Sequence, residues 1–164
     1  MSEAAATLSA TAPPGVAAGR DTAMPLSLNP YLSFRDNARE AMTFYQSVLG
    51  GELVFDEFGS IPEMAPEGEG HLIMHAQLTT DDGMVLMASD SPASMPYTAP
   101  AGFSVSISGD DEAQLQSYWD ALSAGGTVVM PYETPPWGGT FGMFTDRFGI
   151  DWMIAYFAGE PGAQ

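Results

Sequence analysis

Thr140–Tyr156 reads TFGMFTDRFGIDWMIAY, and this stretch decides the fold. Two short runs with strand character, Thr140 to Thr145 and Ile150 to Tyr156, are joined through Asp146, Arg147, Phe148 and Gly149. That is a hairpin signal, in which the glycine supplies the positive φ the turn requires. A similar phrase, MHAQLTTDDGMVLMASD, stands earlier at Met74–Asp90. A shift of 66 positions (149 − 83) lays Thr79 on Thr145, Gly83 on Gly149 and Met87 on Met153. The chain therefore reads as a degenerate tandem repeat.

Working outward, Leu26–Phe34 (LSLNPYLSF) alternates as a strand does, with Leu32 and Phe34 on one face and Tyr31 and Ser33 on the other. Asn37 with Glu40 forms a capping-box pattern that opens a helix. Ala38, Ala41, Met42, Tyr45, Val48 and Leu49 make its apolar stripe, and Gly50-Gly51 ends it. Leu53–Phe58 is the next strand, followed by a Pro, Glu and Gly-rich loop over Ser60–Gly70. His71–Thr80 and Met84–Ser89 form a hairpin across Asp81, Asp82 and Gly83, on whose first strand Leu72, Met74, Ala76 and Leu78 are expected to face the core. The first unit, about residues 26–90, is βαβββ. Ser91–Gly102, with three prolines, is the linker. The second unit, about 103–157, repeats the order: a strand at Phe103–Ile107, a helix capped by Asp111 with Gln114 and striped by Leu115, Tyr118, Trp119 and Leu122, then Gly125-Gly126. A strand at Thr127–Tyr132, a loop at Glu133–Gly139 and the opening hairpin complete it. The expected class is α+β with two tandem βαβββ modules, flanked by tails at 1–25 and 158–164.

Composition narrows the function. One domain accommodates 164 residues, and 45% hydrophobic with 11% aromatic residues suffices for a core. The absence of cysteine excludes disulfides and thiol nucleophiles. A formal charge of −17 arises from 21 acidic residues against four arginines and no lysine. Such a surface repels phosphate backbones and anionic headgroups, so neither nucleic acid nor membrane is an expected partner. No apolar run approaches the roughly 20 residues of a membrane span. Met1–Pro25 lacks both a basic cluster and an apolar segment of the secretory type, which makes cytoplasmic location the expectation.

Two βαβββ units, each with an aromatic pair inside the helix (Phe44-Tyr45, Tyr118-Trp119), Gly-Gly after it and a glycine-closed hairpin, resemble the vicinal oxygen chelate superfamily of glyoxalases, bleomycin-resistance proteins and dioxygenases. The phrases LNPYLSF, AREAMTFYQSVLGGEL, MHAQL and PPWGGTFGMFTDRFGIDWMI are similar to its PhnB-like branch, whose members often carry a label borrowed from 3-demethylubiquinone 3-methyltransferase. The resemblance covers about Leu26–Phe157. It implies sheets that curve into a barrel-like cleft holding a small molecule, usually in a homodimer. Methyl transfer is disfavoured, because no glycine-rich nucleotide loop follows a first strand.

Metal-dependent relatives place His on the first strand of a module and Glu four residues after the hairpin glycine. The matching positions here are Asn29, then Phe103 or Ser104, and Met87 and Met153. Thioether and amide groups are poor ligands for a hard divalent ion, so neither metal nor cofactor is expected. His71 and His75, four apart on a strand, lie roughly 13 Å from one another and cannot share an ion. If Met87 and Met153 face the cleft, strand alternation brings Val85, Ser89, Asp151 and Ala155 to that face and sends Leu86, Trp152, Ile154 and Tyr156 beneath the helices. Asn29, Tyr31, His75 and Gln77 join the cleft, and Trp137, on a loop stiffened by Pro135 and Pro136, walls it. Two functions stay open: a metal-independent binder of a small organic molecule, and an enzyme with His75 or Asp151 as general base. A third is a structural dimer with a vestigial cleft.

Overall fold

In chain order, a computed structural model shows β1 (Tyr31–Phe34), α1 (Ala38–Leu49), β2 (Glu52–Glu57), a 3-10 turn (Phe58–Ser60), β3 (Ile73–Thr79) and β4 (Val85–Asp90). Then come β5 (Val105–Gly109), α2 (Glu112–Ser123), β6 (Thr127–Glu133), β7 (Thr140–Thr145) and β8 (Asp151–Tyr156). The structure describes residues 26–63, 65–136 and 138–158; both tail segments, 1–25 and 159–164, lie outside them, as does Trp137. Strands β4 and β8 begin and end at matching positions of the repeat, so the internal similarity of the sequence is the repeat of the fold.

Each module contributes one four-stranded sheet, ordered β1-β4-β3-β2 and β5-β8-β7-β6. The first strand pairs parallel with the last, and the remaining pairs are antiparallel. One face of each sheet packs beneath the helices around Leu32, Phe34, Leu78, Phe144, Trp152 and Ile154, all buried. Within the chain the two sheets remain separate and do not join into one barrel.

The α2 stripe of Leu115, Tyr118, Trp119 and Leu122 is buried as expected, and on α1 Ala38, Ala41, Met42 and Tyr45 are buried while Val48 and Leu49 are half-buried. Asp111 accepts the Gln114 N–H at 3.0 Å, as the capping pattern implies. Asn37 occupies the N-cap of α1 without a side-chain bond. The buried Asp90, at the end of β4, does that work from across the module, accepting the Ala38 N–H and the Ile73 N–H at 2.9 Å each. A capping partner 52 residues away in sequence leaves no local signature.

Each Gly-Gly pair has the same two jobs. Gly50 and Gly125 adopt positive φ, while a Cβ on Gly51 or Gly126 would stand 2.2 or 2.1 Å from the carbonyl oxygen of Thr79 or Thr145. The chain leaving each helix thus runs directly against the hairpin of its own module.

The largest departures from expectation are the starts of β1 and β5 and the faces of β3. β1 starts at Tyr31 rather than Leu26, and Leu26 and Leu28 are fully exposed. Pro30 accepts the Met87 N–H at 3.1 Å and has no N–H of its own to extend the ladder. β5 starts at Val105, and Phe103 is 47% exposed. Because Tyr31 pairs with Met87 and Ser106 with Met153, the residue matching Asn29 is Ser104. On β3 a bulge opposite Asp56 and Glu57 reverses the alternation, so Ile73 is fully buried and Met74 only half-buried.

Tyr45 of α1 is the tie between modules. Its hydroxyl donates at 2.6 Å to the buried Asp146 in the β7–β8 turn, which also accepts from Trp152 Nε1 at 2.9 Å and from the Phe148 and Ile150 N–H groups at 2.8 and 3.0 Å. Arg147 of the same turn lies 4.0 Å over the Phe44 ring. The segment expected as a linker lies against module 1: Arg35 stacks over Tyr97 and donates to the Met95 carbonyl, and Glu69 accepts the Ala93 N–H.

Candidate functional site

The face of sheet 1 turned away from the helices gathers most of the expected first-module residues. Tyr31, Met87, Gln77 and Val54 form one row across β1, β4, β3 and β2. One pleat further along β3, His75 pairs with Asp56 of β2 and reaches Tyr31 diagonally. Tyr31 Oη and His75 Nδ1 are 3.2 Å apart, and the rings stack with centroids 5.8 Å apart. Gln77 is steadied by Thr79 at 3.2 Å. Tyr31 and Val54 are about half exposed, at 48% and 51%, so this face stands open in the chain.

Sheet 2 presents the other set. Met153 pairs with Met143 on one side and Ser106 on the other, and Asp151 pairs with Thr145, whose hydroxyl donates to it at 2.6 Å. Val129 and Met130 on the edge strand β6 are 65% and 46% exposed. Ala155, expected on this open face, is buried beside Phe141. Tyr31, His75, Gln77 and Met87 are therefore brought together, as are Asp151 and Met153, but the two groups occupy different sheets. Asn29 precedes β1 and bonds only locally, to Ser27 at 3.0 Å.

Sequence reading missed Val54 and Asp56 of β2 and Met143 of β7. Alternation gives their spacing, but only cross-strand register places them beside His75, Gln77 and Met153. His71 lies outside the face, 3.4 Å from Asp36 on the surface. Asn29, Met87, Ser104 and Met153 supply amide, thioether and hydroxyl donors, a set that does not fit a hard divalent ion. Among the described residues no three His, Asp or Glu side chains are grouped to hold a metal. What the first-module face offers instead is an aromatic ring, an imidazole, an amide and the Asp56 carboxylate beside the apolar Met87 and Val54.

Residues 27–154 match the glyoxalase/bleomycin resistance protein/dioxygenase superfamily. The chain belongs to that superfamily. Protein YjdN of Escherichia coli strain K12 is 30% identical over 149 residues, covering 84% of this chain and 99% of the relative. Among solved structures, protein PA1353 from Pseudomonas aeruginosa is 41% identical with a TM-score of 0.73, covering 80% of this chain and 98% of its own. A Bacillus cereus protein described as a putative 3-demethylubiquinone-9 3-methyltransferase, PhnB protein, is 24% identical with a TM-score of 0.67, covering 80% and 100%. The last likeness is one of fold, and it gives the superfamily member a PhnB-like structural neighbour.

Proposed function

We propose that this superfamily member binds a small organic molecule on the face carrying Tyr31 and His75, without a metal ion, and that the sheet 2 face of a second copy closes the site. The Tyr31–His75 pair, set with Gln77, Met87 and Val54 on an open sheet face beside Asp56, carries the proposal. A few polar groups among apolar and aromatic walls are the usual make-up of a small-molecule site. Two half-exposed sheet faces on one chain, neither covered by the other, support a dimer in which each meets its complement. The donor set at Asn29, Met87, Ser104 and Met153 supports binding without metal.

The same pair favours a second reading. An imidazole hydrogen-bonded to a phenol can relay a proton, so His75 would be the base of an enzyme on this face, whereas Asp151 is already engaged by Thr145.

The test combines light scattering at physiological ionic strength, metal analysis, and a panel of monocyclic and bicyclic aromatic compounds followed by methionine methyl NMR. A dimer mass, less than a tenth of an equivalent of metal, and ligands that move the Met87 and Met153 methyls together are expected, with affinity falling about tenfold in His75→Ala. Compounds that leave Met87 unmoved, or a stoichiometric metal, would refute the proposal.

A further inference from the structure

A second opening lies at the junction of the modules, and of its lining only Pro30 and Val85 adjoin the Tyr31–His75 face. It is a cavity of about 190 Å³ between the β3–β4 hairpin, the end of α1 and strand β5. Leu49, Leu78, Met84 and Leu86 wall it from module 1, and Val105 and Ile107 from module 2. Trp152 closes the base, and no charged side chain lines it. The opening is partly exposed to solvent and its lining is mostly apolar; enclosed apolar cavities of about 150 Å³ take up benzene.

The repeat accounts for two walls of the opening, Leu78 and Leu86. Where the β7–β8 hairpin meets α1, rings fill the space: Phe148 lies 5.7 Å from Phe44 and 5.9 Å from Tyr45, and Trp152 lies 5.4 Å from Tyr45. Positions 66 earlier on the β3–β4 hairpin match Phe144, Phe148 and Trp152 with Leu78, Asp82 and Leu86. The first hairpin thus carries less apolar volume than the second.

We infer that this junction is a binding site for a neutral, compact apolar molecule of one or two rings. Size follows from the volume and neutrality from the lining. Such a ligand touches both modules at once and holds them together, so it stabilises the whole chain rather than one sheet. The hydroxyl of Thr80, already accepting the Met84 N–H at 3.0 Å, and that of Ser106 at the rim are the polar groups within reach.

The experiment titrates the full chain with toluene and, separately, indole. Methionine methyl NMR and thermal unfolding are the readouts, on the wild type, Leu78→Phe and Met84→Phe. Met84 lines the cavity and Met87 the open face, so the two sites report on different methyls. Expected are a shifted Met84 resonance, an unmoved Met87, and a melting temperature raised by about 3 °C near saturation. Leu78→Phe puts in the residue of the second hairpin and abolishes the shift; Met84→Phe reports from the half-buried rim if that core change prevents folding. An unmoved Met84 in the wild type, or an undiminished response in a folded variant, overturns the inference. Movement of Met87 alone overturns it as well and assigns the ligand to the Tyr31–His75 face.

Discussion

Asp146→Ala tests whether the junction between modules is held by one carboxylate. Asp146 is 4% exposed and accepts four hydrogen bonds: Tyr45 Oη, Trp152 Nε1 and two turn N–H groups. Removal of the side chain leaves the phenol and indole donors without a partner in the core, while the turn flanked by exposed Arg147 and Gly149 can recruit water. Two or three buried donors at about 1–3 kcal/mol each, reduced by relaxation, give a loss of about 3–5 kcal/mol. That is a large share of the roughly 5–15 kcal/mol of a typical domain. Tyr45→Phe removes one charge-assisted bond and leaves Asp146 three others, for a loss of about 1.5–3 kcal/mol. In the Asp146→Ala background the hydroxyl has already lost its acceptor, so Tyr45→Phe should then cost less than about 0.5 kcal/mol. Urea unfolding of the wild type, both single variants and the double variant measures this coupling, with tryptophan fluorescence as the probe. Equal costs of Tyr45→Phe in both backgrounds would show that the hydroxyl does not tie the modules through Asp146.

Two further outcomes follow from the same core. Burial, then the Asp146 charge and its hydrogen bond, push the Tyr45 phenol far above its ordinary 10.0, and burial pushes Tyr118 and Tyr132 in the same direction. Above about pH 10 the unfolded chain releases these protons while the folded chain keeps them, so stability should fall as pH rises from there, by up to about 1.4 kcal/mol per pH unit from Tyr45. Urea midpoints between pH 8 and 11 read the slope, which Tyr45→Phe should make shallower. Gly126→Ala should cost about 3 kcal/mol or more, because its Cβ meets the Thr145 carbonyl oxygen at 2.1 Å, whereas Gly109→Ala, whose nearest neighbour is Leu115 Cδ1 at 4.0 Å, should change stability by less than about 1 kcal/mol. Thermal unfolding distinguishes the two; equal effects would refute the steric account.

Local periodicity made the elements legible: the stripes of α1 and α2, the glycine-closed hairpins and the alternation of β4 and β8 all depend on neighbours within a turn or a pleat. Long-range partners stayed hidden. Asp90 caps α1 from the end of β4, and nothing near Asn37 announces it. Asp146 looked like a turn residue, yet its bonds to Tyr45 and Trp152 make it the most connected polar group of the junction. The bulge on β3 reversed the faces of Ile73 and Met74 because an extra residue in a ladder has no compositional mark. Tyr31 and His75 were each assigned to the cleft, but their 3.2 Å approach depends on β1 and β3 flanking β4, a matter of strand order.

The two modules also allow the needs of the fold to be separated from the needs of the site. Both copies keep the Gly-Gly pair against the hairpin carbonyl, the hairpin glycine and the central methionine at 87 and 153. Backbone geometry requires the glycines in either copy, so they carry no information about function. At the face positions the copies part: His75 is matched by Phe141, Gln77 by Met143 and Ser89 by Ala155. At these positions the first sheet carries imidazole, amide and hydroxyl groups, while the second carries a ring and a thioether, with Ala155 buried and the Asp151–Thr145 pair further along the face. In the dimer proposed above, these positions would give the site one wall richer in hydrogen-bonding groups and one richer in apolar groups. A ligand of that proposed site would be amphipathic across its short axis, since a uniformly apolar molecule would leave His75 and Gln77 desolvated without partners, at a cost of about 1–3 kcal/mol each. The proposed site predicts a preference for molecules with polar groups along one edge, and Gln77→Met, which gives the first face the residue of the second, should abolish that preference in a binding titration; an unchanged preference would refute it.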